Sequence, residues 1–361
     1  MAFKHASAER SETSSIWAEV ETQEGLTGYG ESCPRPYVTG ESQASAKAFY
    51  RDHLEDLREN ITSLDSLKNW LAEHRSDIDS NPAAWCALEL AMLDALGKSK
   101  QQSVEQLLCV DESKIHFAYT AVLGDMDRPA FAALCQRYVH LGFRDFKVKL
   151  SGDAEKDNTN LSTLASLCPE SHRLRFDANN LWHDVPEAID YLDKLDSDYF
   201  AIEEPLPAEA YDNLLLIHQA IGQKIILDES FVRDEQFAHL KQNASAWIIN
   251  IRVSKMGGLL RSLNIIEQAK ELGIPIIIGA QVGETSLLTR AALVLARQAS
   301  DQSMAQEGAV GTYLLSEDCC EPPLMFSEGG ILKLENYSLV ARSGFGLQTH
   351  LKKFAQGLDE L

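Results

Sequence analysis

The chain has 361 residues, of which 45% are apolar and 24% charged, a balance suited to a globular protein with room for a barrel of about 250 residues and a smaller partner domain. No apolar run approaches the roughly 18 residues that span a bilayer, and the polar stretch Met1–Ser15 lacks the apolar core of a secretory leader. A net charge of −21 argues against nucleic acid or an anionic membrane as partner, while leaving room for a small anionic substrate wherever local cations override the global field. The seven cysteines are odd in number and contain no CxxC pair, which points to free thiols in a reducing cytoplasm and against a structural zinc site.

Ile16–Thr22 alternates apolar and polar residues, Gly25 turns, and Leu26–Glu31 returns, which predicts a β-hairpin. Glu41–Glu59, Ser63–His74 and Asn81–Gly97 read as helices, the last opened by Asn81 as cap and Pro82 at the first helical position. These elements predict an α+β unit over residues 1–113. From Lys114 the pattern changes to eight short β runs separated by amphipathic helical stretches: His116–Val122, Asp145–Leu150, Arg173–Asp177, Phe200–Glu203, Lys224–Asp228, Trp247–Ile251, Ile274–Gly279 and Ser303–Gly308. That rhythm over residues 114–320 predicts an α/β fold, a TIM-type (β/α) barrel. The tail, residues 321–361, contains a further alternating stretch, Ile331–Val340, and is expected to return to the first unit and complete a capping domain.

Strands buried on both sides should be apolar, yet several of these end in charge. Lys147 and Lys149 end the second, Asp177 the third, Glu203 the fourth and Asp228 the fifth, and Lys255 follows the sixth. From Lys149 to Lys255 these positions are 25 to 28 residues apart, about one β/α unit each, so they gather at the C-terminal mouth, where TIM barrels carry their active sites. Any one of them could be a solvated strand end; the ordered set of lysine, three acids and lysine is hard to explain that way. Three converging carboxylates repel unless a cation joins them, and an all-oxygen set suits Mg²⁺ better than zinc. Lys147 and Lys149 share one side of their strand, so their mutual repulsion is expected to favour a neutral amine on one of them.

These motifs resemble the muconate-lactonizing subgroup of the enolase superfamily. The resemblance rests on Lys147-Val148-Lys149, Asp177-Ala178-Asn179, Glu203-Glu204-Pro205, Asp228-Glu229-Ser230 and Lys255-Met256-Gly257-Gly258, and on the helix Ala84–Lys98. It implies Mg²⁺ bound by Asp177, Glu203 and Asp228, and abstraction of a proton α to a substrate carboxylate through an ene-diolate. Lys149 and Lys255 would be the acid/base pair on opposite faces of the substrate, assisted by Lys147. Asn179, Arg252, Glu284 and Glu307 are the candidate substrate-binding residues. For Arg252 the plainer alternative is an ion pair with the rim acids. The resemblance also implies a loop over Phe3–Arg10 that closes on the substrate, preceded in the family by a strand that is expected to be missing here. Dipeptide epimerases of the subgroup carry two acids on the eighth strand, whereas Gln306-Glu307-Gly308-Ala309 offers one.

The expected reaction is an isomerisation of a small carboxylate by a homo-oligomer: cycloisomerisation, racemisation or epimerisation. Elimination, as in an o-succinylbenzoate synthase, would use the same residues. A Schiff-base aldolase would need no three carboxylates, and a decayed paralogue would have no use for the full set. Tyr37–Glu41 reads equally as a lid or a surface loop, and Trp182 and His183 read as local packing. The Gly28-Tyr29-Gly30 stretch lacks phosphate-loop spacing.

Overall fold

The computed structural model describes the backbone of residues 3–5 and 8–10, and residues 13–168, 172–337 and 343–351 in full. Phe3–Arg10, expected as a loop, forms two short antiparallel strands, β1 (Phe3–His5) and β2 (Ala8–Arg10). The predicted hairpin is present as β3 (Ile16–Glu21) and β4 (Thr27–Ser32), closed by a turn in which the Gly25 N–H donates to the Thr22 carbonyl.

Behind the hairpin lies the helix Pro82–Lys100, buried along nearly its whole length from Pro82 to Ala95. Gly28 and Gly30 explain how strand and helix come so close. A Cβ on Gly30 would lie 1.9 Å from the Ala87 carbonyl oxygen, and one on Gly28 would lie 2.2 Å from that of Ala91. Pro82 opens the helix as expected, but the Asn81 side chain does not cap it. The buried Glu41 carboxylate does so instead, accepting from the Ala83 and Ala84 N–H groups at 2.9 and 3.0 Å. Within Tyr37–Glu41, read as a lid or a surface loop, Pro36–Thr39 forms a helical turn and Glu41 is a buried anchor. The helices Gln43–Asn60 and Leu64–Glu73 complete this layer.

The first barrel run divides in two. His116–Ala118 (β5) pairs antiparallel with Ile331–Lys333 in the tail, and only Ala121–Leu123 (β6) enters the barrel. The switch falls at two consecutive residues: the Tyr119 N–H donates to Gly330, and the Thr120 N–H donates to Gln306. The remaining barrel strands are β7 (Asp145–Lys149), β8 (Arg173–Asp177), β9 (Ala201–Glu203), β10 (Lys224–Leu227), β11 (Trp247–Ile251), β12 (Ile276–Ile278) and β13 (Ser303–Gln306). All are parallel and adjacent in chain order, and the Thr120–Gln306 hydrogen bond of 2.8 Å joins the two ends of the curled sheet. The fold is a TIM-type (β/α) barrel with a capping domain.

The tail holds cap and barrel together. Cys320–Glu321 (β14) pairs with Gln348–Thr349 (β16), with Ile331–Lys333 (β15) between them in sequence. The Phe345 N–H donates to Asp94 on the cap helix, and the Phe345 carbonyl accepts from Arg290 on the barrel helix Ser286–Gln298. Residues 338–340 of the alternating stretch lie outside the described residues. All seven cysteines are free. Among the described residues no helix is long and apolar enough to cross a membrane.

Candidate active site

The C-terminal ends of β7 to β10 and the turn after β11 place their charged side chains on one buried rim. Asp177 pairs in register with Lys149 on one side and Glu203 on the other, so the lysine and two acids are neighbours by strand pairing alone. Asp177, Glu203 and Asp228 are each no more than 2% exposed. Lys147 Nζ lies 3.4 Å from Asp177, 3.2 Å from Glu203 and 2.9 Å from Glu307. Burial alone would lower its pKa, but Glu203, Glu307 and Asp177 outweigh burial and raise it. Of the two lysines, Lys147 is the one whose neighbours are carboxylates, and they hold its proton on.

Lys149 Nζ donates to Asn179 Oδ1 at 2.7 Å and lies 3.4 Å from Asp177. Asn179 and Asn180 take left-handed backbone angles (φ 48° and 59°), which asparagine tolerates better than most residues. On the far side Lys255 is fully buried. Its ammonium donates to Asp228 Oδ1 at 2.8 Å, to the Asp228 carbonyl at 2.8 Å and to the Asn250 carbonyl at 2.6 Å. Burial, and after it the Arg252 guanidinium, lower its pKa to about 7. Arg252 donates to Asp228 and to Gln281, so the ion pair is its primary contact.

Among the described residues no three acids, histidines or cysteines stand close enough to hold one ion. Asp177 and Glu203 share Lys147, while Asp228 turns to Lys255 and Arg252, each carboxylate reaching for the nearest cation as like charges must. The donor set itself, three buried carboxylates on adjacent strand ends with no nitrogen or sulfur among them, fits Mg²⁺ by its chemistry.

A cavity of about 230 Å³ opens beside this rim, bounded by Lys147, Lys149, Asp177, Asn179, Arg252 and Glu307 at its inner end. Lys255 does not line it. Lys149 thus lies on the cavity wall, and Lys255 lies on the far side of the rim, buried against Asp228.

Family models match both parts of the chain: the "Mandelate racemase / muconate lactonizing enzyme, N-terminal domain" over residues 2–109 and the "Enolase C-terminal domain-like" region over residues 130–351. The chain belongs to the mandelate racemase/muconate lactonizing enzyme family of the enolase superfamily. Relatives of this enolase-superfamily chain include a hydrophobic dipeptide epimerase of Enterococcus faecalis, 28% identical over 78% of each chain. Another is a chloromuconate cycloisomerase of Cupriavidus pinatubonensis, 25% identical over 96% of this chain and 92% of that one. A dipeptide epimerase structure from Methylococcus capsulatus, complexed with Mg and the dipeptide L-Arg-D-Lys, aligns with a TM-score of 0.82 at 26% identity, covering 96% of this chain and 95% of that one.

Four side chains complete the site beyond those the motifs single out. Glu204, buried and left-handed (φ 40°), accepts from the N–H groups of Asp228 and Ser230 at 2.6 and 2.8 Å and from the Ser230 hydroxyl at 2.8 Å. It fixes the turn that carries Asp228. Burial raises its carboxyl to about 7. Glu229, beside it, is raised to about 8 by burial and then by Glu204, Asp177 and Glu203. Arg175, wholly buried on β8, grips Glu307 at 2.7 Å and Asp145 at 2.8 Å. Asn250 donates to Glu203 at 2.8 Å. Glu307 is therefore held by Lys147 and Arg175, which overcome its burial and bring its carboxyl down to about 2. Glu284, on the cavity wall, accepts from the Gln281 N–H at 2.9 Å, and burial raises its carboxyl to about 8. The doublet Glu203-Glu204 and the lone Arg175 in an apolar strand were signals for two of these. Trp182 is core, packed on Tyr191 at 5.0 Å between ring centroids, as its sequence setting suggested.

Proposed function

We propose that the chain is a Mg²⁺-dependent isomerase that removes the proton α to a substrate carboxylate and returns one, acting as a racemase, epimerase or cycloisomerase. The ordered set of buried lysines and acids at successive strand ends, with a cavity opening on Lys147, Lys149 and Asp177, carries this reading. Family membership, and relatives named as epimerases and a cycloisomerase, support it.

In this reading Asp177, Glu203 and Asp228 would hold the ion. When bound, Mg²⁺ would offset the negative charge that builds on the substrate carboxylate as its α-proton leaves. Lys149, on the cavity wall and oriented by Asn179, is one proton carrier. Lys255, with an ammonium acidified by burial, is suited to give and take a proton near neutral pH. Lys147 keeps its proton and supplies fixed positive charge, with Glu307 and Arg175 steadying it. Arg252 and Asn179 line the cavity where a substrate carboxylate would enter, and Glu284 presents a carboxyl able to donate as well as accept.

The test is deuterium uptake at the α-carbon in D₂O across dipeptides, N-acylamino acids and muconate-like acids. Uptake should occur on members of that panel with Mg²⁺, stop with chelator and resume when Mg²⁺ is restored. No uptake on any member with Mg²⁺ present, or uptake indifferent to chelation, overturns the reading.

A further inference from the structure

The turn after β12 forms one wall of the cavity, through Gln281, Val282, Gly283 and Glu284. The Glu284 N–H donates to the Gln281 carbonyl at 3.1 Å, and Gly283 has φ 86° while Val282 keeps a negative φ. That combination is a type II β-turn, whose third position needs glycine so that the central peptide, here Val282–Gly283, can face the opposite way from that of a type I turn.

Arg35 fixes the way this peptide faces. The arginine lies just beyond β4 and is 2% exposed, and its Nη2 donates to the Val282 carbonyl at 2.9 Å. Its other contacts are the Ser14 and Pro34 carbonyls at 3.1 and 2.9 Å and the Thr13 hydroxyl at 3.4 Å. The buried Arg175, Arg290 and Arg297 each hold a carboxylate, whereas among the described residues Arg35 holds only neutral oxygens. A peptide is planar and trans, so a carbonyl turned to Arg35 sends the Gly283 N–H the other way. Gly283 lines the cavity and Arg35 does not, so the N–H is sent toward the cavity. Among the described residues that N–H has no acceptor. No side chain can stand in for the glycine, because a Cβ there would lie 2.2 Å from Thr13 Oγ1. A cation bonded to the carbonyl also polarises the whole peptide and makes its N–H a stronger donor, as linked hydrogen bonds do.

We propose that the Gly283 N–H donates a hydrogen bond to a carbonyl or carboxylate oxygen of the bound substrate, and that Arg35 is its positioning residue. Arg35 orients the peptide and strengthens the donor from behind the wall, and does not itself touch the substrate. This rests on the α-proton-removal reading of the same cavity and adds to it a recognition point that the cap holds in place.

The experiment uses the full chain labelled with ¹³C at valine carbonyls and ¹⁵N at glycine. Only two Val–Gly pairs exist, Val282-Gly283 and Val310-Gly311, so two amides are correlated, and Val310→Ile tells them apart. The probes are L-alanyl-L-leucine, N-acetyl-L-leucine and cis,cis-muconate, each with Mg²⁺. At least one probe should move the Gly283 amide downfield and slow its hydrogen exchange. Arg35→Gln should weaken that probe by about tenfold, as loss of a charge-assisted contact implies. The loss should appear in KM and not in kcat for α-proton exchange, the mark of a contact kept through the reaction. Arg35→Lys, which keeps the charge, should restore part of it. If Arg35→Gln does not fold, the wild-type amide and Arg35→Lys decide the question. A Gly283 amide unmoved by all three probes, or equal affinity in wild type and Arg35→Gln, overturns the proposal, and α-proton exchange seen beside that result leaves the isomerase reading standing. An Arg35-dependent response at Gly283 without α-proton exchange of any probe sinks the isomerase reading and leaves the donor standing.

Discussion

At the scale of single residues, the site is a problem of buried charge. Asp228 is at once a proposed metal ligand, the acceptor for Lys255 and the partner of Arg252, with its backbone N–H tied to Glu204. Asp228→Asn removes one negative charge and keeps the shape, so Mg²⁺ affinity should fall by roughly tenfold or more, since affinity follows ligand charge count and even outer-sphere partners carry 10–100-fold. Titration of Mg²⁺ against the variant checks this, with circular dichroism to show the fold retained; wild-type affinity would remove Asp228 from the ligand set. The lysines and acids of the rim were legible because each interrupts a strand that should be apolar. Glu204 and Arg175 were written in the same strands but went unread, because what they do depends on partners 24 to 26 residues away for Glu204 and 132 for Glu307 to Arg175. Which of Lys147 and Lys149 keeps its proton was not legible for a related reason: spacing reveals the neighbouring lysine, while the three carboxylates beside Lys147 come from other strands.

At the scale of elements, the hairpin, the long helices and the β/α rhythm were legible from periodicity, and the boundaries of the first barrel run were not. His116–Ala118 and Ala121–Leu123 form one continuous β-like stretch in sequence, and only the arrival of the tail strand divides it. The glycines of β4 show the same dependence on a remote surface. Gly28-Tyr29-Gly30 was set aside as a phosphate loop, and its purpose is close packing against Ala87 and Ala91. Gly30→Ala would drive a methyl group into the Ala87 carbonyl and the Ala91 nitrogen, backbone atoms that cannot turn aside. The variant should lose about 3 kcal/mol or more, the upper range for overpacking, read as a lowered midpoint in urea. A midpoint equal to that of the wild type would mean that strand and helix are not held this closely.

Across the whole molecule, the cap is tied to the barrel through buried acids placed at barrel-helix N-termini. Glu31, at the end of the hairpin, accepts from the Thr285 N–H at 3.0 Å and the Thr285 hydroxyl at 2.7 Å, where the helix Ser286–Gln298 begins. Glu89, on the cap helix, accepts from the Leu260 N–H at 3.0 Å at the start of Leu259–Glu271, and from Trp85 Nε1 at 3.1 Å. The pair Gly257-Gly258 lets that junction form: both have positive φ, and a Cβ on Gly258 would lie 2.3 Å from the Glu89 carboxylate. Burial raises both acids from 4.5 to about 7, against the hydrogen bonds that lower them. A carboxyl raised on folding binds its proton more tightly in the folded state, so its stabilising contribution is full below about pH 4.5 and is lost as pH rises through about 7, on the order of 3 kcal/mol for one such group. Wild-type protein should therefore lose melting temperature between pH 5 and pH 8 more steeply than Glu89→Gln, in which that proton no longer titrates. Parallel curves for the two would show that Glu89 does not carry a shifted proton.

The central claim is that two lysines on opposite strands handle one α-proton from two faces. The direct measurement is α-proton exchange in D₂O with Mg²⁺, each enantiomer of a turned-over substrate supplied separately to wild type, Lys149→Ala and Lys255→Ala. Each variant should lose racemisation by about 10²–10⁴-fold, and each should retain exchange with one enantiomer at most, the retained enantiomer being opposite in the two variants. A variant that exchanges both enantiomers at the wild-type rate would contradict the two-lysine account.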